Sequence, residues 1–427
     1  MTVRVYQVGF GDCFLLTFNY PQSKRHVLID FGTMGKPEDA GERLMERVAT
    51  DIRERCDGKL HAVVATHRHK DHVSGFATRK KGDGPGDIIA SCKPEVVVQP
   101  WTEDPKAQPD AKAPIRQRSA RQAFVGALHD MQQVAEHALV QASGLRGVSK
   151  SLQHQLAFLG EDNLGNASAV RNLMTMGKRP HYVHCGSRSG LERLLPGVTT
   201  HVLGPPTLEQ HEAMGRMRTR DNAEFWHLYA HATDGGPRPV TRLFPKAKTQ
   251  RMPPYARWFR DRVRRARGES LLELVRSLDH ALNNTSIILL FEVGGRRLLF
   301  PGDAQIENWE YVLHHAPNRA AIRRKLEKVD FYKVGHHGSL NATPKTVWNS
   351  FAKRSPPTDA GRMRSVVSTM GGKHGSRHRD TEVPRRKLVE ALEAETDFFT
   401  TQTLRGRRLS EVFEYELARP RRARSKK

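Results

Sequence analysis

Cysteine is scarce in this chain, and long apolar runs are missing. The four cysteines among 427 residues (Cys13, Cys56, Cys92 and Cys185) are scattered, with no CxxC pair. Nothing in that pattern supports a disulfide framework or a cysteine zinc site, and a reducing, cytoplasmic setting is the expectation. The longest unbroken apolar run, Ile287–Phe291, falls far short of the roughly 20 residues a membrane helix needs. The opening Met1-Thr2-Val3-Arg4-Val5-Tyr6 reads as a strand, without the charged and apolar regions of a secretion signal. A membrane channel and a secreted precursor are therefore not expected, and no internal repeat of fixed period is present.

Acids are the other deficit. The chain has 70 Lys plus Arg against 46 Asp plus Glu, a formal charge of +24. Such an excess favours a polyanionic partner, because binding phosphates releases condensed counterions. The plainer reading is a generally basic style of surface.

What is present alternates between strand and helix. Val3–Val8, Cys13–Tyr20 and His26–Ile29 are β-rich, as are His61–Thr66, Glu95–Gln99 and Thr199–Leu203. Asp39–Cys56 has helical periodicity with Asp39 as a candidate N-cap. Ser286–Glu292, the Gly294-Gly295 turn and Arg297–Phe300 read as a hairpin. Helices are expected over Gln305–His314, Pro344–Ala352 and Pro384–Ala394, and strands over Val329–Val334 and Ser365–Thr369. Strands in both halves with helices between them predict an α/β layer architecture. Two mainly helical insertions, about 102–179 and 207–280, interrupt it. The first holds an amphipathic stretch, Gln117–Ala142. The second holds Arg242–Arg267, with ten Lys or Arg and one acid, Asp261. Residues 1–405 form the expected domain, and 406–427 form a basic extension ending in RPRRARSKK.

The densest chemistry is Thr66-His67-Arg68-His69-Lys70-Asp71-His72, directly after the HAVVAT strand. Imidazole nitrogen and carboxylate oxygen suit borderline divalent ions such as Zn²⁺ and Mn²⁺. Alternate residues at a strand end point one way, so His67 and His69 could share one ion while Asp71 and His72 serve another. Three further strand ends carry similar groups: Ile29-Asp30-Phe31-Gly32, Pro301-Gly302-Asp303, and Gly335-His336-His337-Gly338. Taken alone, the first two are ordinary turns.

The order IDFG, THRHKDH, NNTS, PGDA and KVGHHGS resembles the metallo-β-lactamase superfamily, and more narrowly the hydrolase domain of ComEC-type competence proteins. Val8-Gly9-Phe10-Gly11-Asp12 and the run from Asn284 also resemble that branch. The match covers roughly residues 3–100, 180–206 and 282–405. The resemblance implies an αββα sandwich with a metal site at one edge of its two sheets, and two divalent ions, Zn²⁺ or Mn²⁺. It implies His67 and His69 on the first ion, Asp71 and His72 on the second, and Asp303 bridging. His336 would complete the second site ahead of His337, with Asp30 and Asn284 in support. The third histidine of the first ion is missing from its usual place, and His184 and His201 are the candidates.

Such ions lower the pKa of the water they hold and offset charge on an attacked phosphorus. Asp71 would orient the nucleophile, with His337 or His374 as general acid. Arg251, Arg257, Trp258, Arg260, Arg264 and Arg265 combine cations with an aromatic face, as phosphate tracking and base stacking require. Their plainer reading is an amphipathic helix with its arginines in water. The leading expectation is a nuclease or phosphodiesterase acting on DNA or RNA. The alternatives are a small-ester hydrolase of the phosphorylcholine esterase or lactonase type, and a non-catalytic nucleic-acid-binding subunit. The latter would have protein partners, as in a bacterial operon or defence system.

Overall fold

The computed structural model describes residues 1–104, 167–207, 210–211, 281–339, 343–356, 358–359, 361–373 and 382–418. The chain divides into two compact units: Met1–Gln108, Gly165–His211 and Leu282–Lys427 make one, and Pro109–Leu164 with Glu212–Ala281 make the other. Only the first falls within the described residues, apart from Ala281. The expected helix at 117–142, the basic stretch at 242–267 and the final nine residues lie outside them.

The first unit is α/β, with two mixed sheets. One has the order β13-β1-β2-β3-β4-β5-β6. Its strands are β1 (Thr2–Tyr6), β2 (Cys13–Tyr20), β3 (Ser23–Phe31), β4 (Ala62–Val64), β5 (Val96–Pro100), β6 (Arg179–Val183) and β13 (Ser410–Glu414). The other has the order β12-β11-β10-β9-β8-β7. It comprises β7 (Val198–Gly204), β8 (Ile288–Val293), β9 (Arg296–Phe300), β10 (Phe331–Lys333), β11 (Arg364–Val367) and β12 (Asp397–Thr400).

Strand periodicity explains the layering. Along β3, β4, β8 and β9, alternate residues enter different cores. Val27, Ile29, Val64, Leu289, Phe291, Leu298 and Phe300 meet in one cluster drawn from both sheets. Leu28 and Val63 turn the opposite way, onto α1 (Leu44–Arg55), α3 (Pro85–Ser91) and α4 (Ala167–Thr175), and Leu290 and Leu299 turn onto α5 (Ile306–Glu310) and α6 (Arg319–Leu326). The short apolar runs are thus strands buried on both faces. Phe300 packs on Phe14 across the sheet interface and on Phe291 and Phe331 within its own sheet. Truncating such a residue to alanine costs about 3–5 kcal/mol.

The β8–β9 hairpin forms as expected, with Val293 opposite Arg296 and Gly294 and Gly295 both at positive φ. That is the conformation a two-residue turn demands. Elsewhere the structure corrects the sequence reading. Helix α1 starts at Leu44, and Asp39 caps nothing there: it lies in a separate turn, its Oδ2 accepting from Gly406 N at 2.7 Å. The stretch assigned to the first insertion contributes α4 and the start of β6 to this unit. The segment read as a basic extension contains β13, which pairs with β1 and buries Phe413. Its other residues are half-buried or exposed, so the apolar pattern was too weak to read. All four cysteines are free and buried, and among the described residues no helix is long and apolar enough to cross a membrane.

β3, β4 and β5 run parallel, as do β9, β10 and β11. Their carboxyl ends point to one edge, where α/β sheets place their ligand sites. IDFG, THRHKDH, PGD and GHHG all leave strands at that edge.

Candidate metal centre

Asp30, at φ +53 near the end of β3, braces the histidine loop. Its Oδ1 accepts from Thr66 N, and its Oδ2 accepts from Thr66 Oγ1, both at 2.7 Å. Oδ2 also accepts from His72 Nδ1 at 2.8 Å. With Nδ1 committed, His72 must turn Nε2 into the site.

Past the strand, His69 enters the short helix α2 (Lys70–Val73), which aims Asp71 and His72 inward. Glycines make that fit. A Cβ at Gly32 would lie 2.4 Å from the Asp71 carbonyl carbon, and one at Gly11 would lie 2.7 Å from the Asp71 oxygen. Between the first two histidines, Arg68 turns away to a two-pronged pair with Glu103, at 2.9 and 2.7 Å. The side chain is thereby locked. Glu103 has no sequence signal beyond its place after a strand, and sequence reasoning missed it.

The second sheet brings Asp303 and the two-histidine turn. His336 and His337 take φ of +43 and +52 in succession, a strained conformation that sends neighbouring side chains in different directions. His337 is fully buried, with Nδ1 donating to Ser368 O at 2.7 Å and Nε2 2.6 Å from Asp71 Oδ2. His336 is only half-buried, and its Nδ1 meets Ser339 Oγ at 2.8 Å.

Four side chains therefore converge. Ligand atoms of Asp71, His72, Asp303 and His337 all lie within 4.8 Å of one another, and all four residues are buried. His72 Nε2 stands 3.1 Å from Asp303 Oδ2 and 3.7 Å from Asp71 Oδ1. None of these three atoms has a hydrogen-bond partner. Buried polar atoms without partners are rare in proteins. Three of them facing each other, in a nitrogen and oxygen set, could hold a divalent metal ion.

Against the expected ligand set, the geometry substitutes His337 for His336, because the left-handed turn carries the first ring outward and the second inward. His67 and His69 face each other, Nε2 to Nδ1, at 3.0 Å. The His67 ring lies 4.2 Å from that of His72, beside the four-residue group. His184 and His201 are not brought into it. His184 Nδ1 meets the Cys185 carbonyl at 3.0 Å, and His201 Nε2 meets Glu292 Oε2 at 2.6 Å. Asn284 Nδ2 bonds Glu307 Oε2 at 3.3 Å, and its carbonyl accepts from Asn308. That ties down the segment before β8. His374 and the six residues from Arg251 to Arg265 lie outside the described residues.

The protonation pattern follows from packing. Burial, then the charges of His72 and His69, push the His67 pKa well below the usual histidine range. That environment favours the neutral ring, which keeps a lone pair. Burial opposes charge on His72, but Asp303, Asp71 and Asp30 outweigh it and raise its pKa well above that range. For His337 burial is likewise overcome, first by the Asp71 hydrogen bond, so its pKa is also raised. Asp303 is held well below the carboxylate range: burial acts the other way, but His72 and Lys333 prevail.

Lys333 and Asp12 were missed as site residues. Lys333 is 1% exposed, with Nζ 2.5 Å from Asp12 Oδ2 and 3.1 Å from Asp303 Oδ1. The available signal was a lysine closing an otherwise apolar strand. Compared with known proteins, the chain matches no family model and no curated protein.

Proposed function

We propose that the chain is a metal-dependent hydrolase that cleaves phosphodiester bonds of nucleic acid, built on the metallo-β-lactamase sandwich with the ComEC-type motif order. The observation that carries it is the convergence of Asp71, His72, Asp303 and His337, with three buried atoms that make no hydrogen bond turned toward each other. Two facing sheets with helices outside, and motifs at one sheet edge, support the sandwich assignment. The +24 charge supports a polyanionic substrate over a small neutral ester.

A divalent ion held by these four residues would supply Lewis acidity and a lowered water pKa. A second ion beside His67 and His69 belongs to the same reading. The rest is the work of the protein. Asp30 and the Ser368 carbonyl fix which nitrogen of His72 and His337 faces the site. Asp71 spans the two halves, with Oδ2 on His337 and Oδ1 directed toward His72. His337, its Nδ1 anchored on the Ser368 carbonyl, directs Nε2 into the ligand set rather than toward a leaving group. Lys333 adds a fixed positive charge behind Asp303.

The test is cleavage of end-labelled single- and double-stranded DNA and RNA with added Mn²⁺ or Zn²⁺. Cutting by the native chain that Asp71→Ala and Asp303→Ala both abolish supports the proposal. A metal-loaded native chain that cuts none of the four substrates rules it out.

A further inference from the structure

The ligand set does not account for the lysine buried against it. Lys333 ends β10 behind Phe331 and Tyr332, both fully buried. An ammonium in such a place is costly unless its protons are taken up. Its Nζ donates to the Gly302 carbonyl at 3.0 Å and to Asp303 Oδ1 at 3.1 Å, and it forms an ion pair with Asp12 Oδ2 at 2.5 Å. Two hydrogen bonds and an ion pair hold the ammonium in place.

The consequence falls on Asp303. Its Oδ1 accepts from Lys333 and from His336 N, the latter at 3.0 Å. Rotation of the carboxylate would break both bonds, one of them charge-assisted. Oδ2 is thereby kept 3.1 Å from His72 Nε2 and 3.8 Å from His337 Nε2. Asp12 is fixed in turn through its backbone. Its N–H donates to the Asp71 carbonyl at 3.0 Å, and its own carbonyl accepts from Gly32 N at 3.1 Å. A continuous chain of contacts thus runs from the Asp71 segment through Asp12 and Lys333 to Asp303, joining the two sheets' contributions.

We propose that Lys333, anchored by Asp12, is a positioning residue for metal binding: it sets the Asp303 carboxylate against the Asp71–His72 loop. The inference rests on the metal-centre reading. The competing account makes Lys333 a mere counter-charge. Asp12, Asp30 and His72 also bring ligand atoms within 4.8 Å, but there the ammonium already sits on Asp12, and Asp30 is occupied by Thr66 and His72. The two accounts differ in sign. If Lys333 positions Asp303, removing it weakens metal binding. If it only neutralises charge, removing it strengthens binding, because one repelling cation is gone.

Zn²⁺ affinity, measured by competition with a chromophoric chelator, separates them. Lys333→Met retains the stem and deletes the charge. It should bind Zn²⁺ about 10–100-fold more weakly than the native chain, the usual effect of losing a partner behind a ligand. Because Asp12 is then left unpaired, the double variant Asp12→Asn/Lys333→Met is measured beside it. Removing a buried pair together is often close to neutral for folding. The double variant should keep a native-like melting temperature and still bind at least about tenfold more weakly. A folded double variant that binds Zn²⁺ as tightly as the native chain, or more tightly, overturns the inference. So does failure of both variants to fold, which would make the pair structural. A native chain that takes up neither Zn²⁺ nor Mn²⁺ removes the metal-centre reading itself; native uptake with unaffected variants removes only the role of Lys333.

Discussion

His337 Nε2 lies 2.6 Å from Asp71 Oδ2, although 266 residues separate the two along the chain. This contact joins the edge of one sheet to the edge of the other, and it depends on two consecutive left-handed residues, His336 and His337.

That backbone gives a paired test. Asparagine tolerates left-handed φ better than most residues, so His336→Asn and His337→Asn change the ring while respecting the turn. His337→Asn should weaken Mn²⁺ binding by more than about 100-fold, beyond the range of an outer-shell partner. His336→Asn should weaken binding far less, since its bond to Asp303 is made by the backbone N–H, which the substitution keeps. Calorimetric titration of both variants decides between the two rings.

Metal binding should displace protons. In the metal-free protein the carboxylates raise the pKa of His72 and His337 against the effect of burial, while a ligand must be deprotonated. Affinity should therefore climb as pH rises through neutrality, by about tenfold per unit for each proton displaced. The metal-free fold carries the opposite dependence. A raised histidine pKa stabilises below about 6.5, and that stabilisation is lost as pH rises through the folded-state value. The gain in melting temperature on adding Mn²⁺ should thus be larger at pH 8 than at pH 6.

A second pair of histidines governs acid stability away from the centre. His26 and His61 are buried, and burial brings each pKa down to about 4. A depressed histidine pKa leaves stability complete above about 6.5 and erodes it as pH falls toward 4. Urea denaturation at pH 7 and pH 4.5 should show a lower midpoint in acid, with the loss reduced in His26→Gln/His61→Gln.

Gly302 sits at φ +55, and a Cβ there would lie 2.9 Å from Thr66 Cβ. Gly302→Ala should cost about 1–3 kcal/mol through backbone strain, and the clash should also shift Asp303. Lower thermal stability together with weaker metal binding is the expected result.

How much of this was legible follows from how local each signal is. His67, His69, Asp71 and His72 occupy six residues after one apolar strand, so composition alone marks them. Asp30 alone reads as an ordinary turn, and only its place in the motif order marks it. The choice between His336 and His337 was not, because it depends on two backbone angles that adjacent identical residues cannot encode. β6, β12 and β13 bury few residues completely, and edge strands that lean on their neighbours carry little alternation of their own. Asp12 and Lys333 lie inside quoted motifs, Val8–Asp12 and KVGHHGS, but nothing local gives either a role until the sheets bring them together. The cysteine and apolar-run deficits were the most direct readings: all four thiols are free.

The most direct measurement is titration of Mn²⁺ into the metal-stripped native chain and into Asp303→Ala, followed calorimetrically. The geometry predicts saturable binding at micromolar concentration or tighter by the native chain, on the order of −8 kcal/mol, and none measurable by Asp303→Ala. Equal binding by both chains, or none by either, would contradict the assignment of Asp71, His72, Asp303 and His337 as a metal centre.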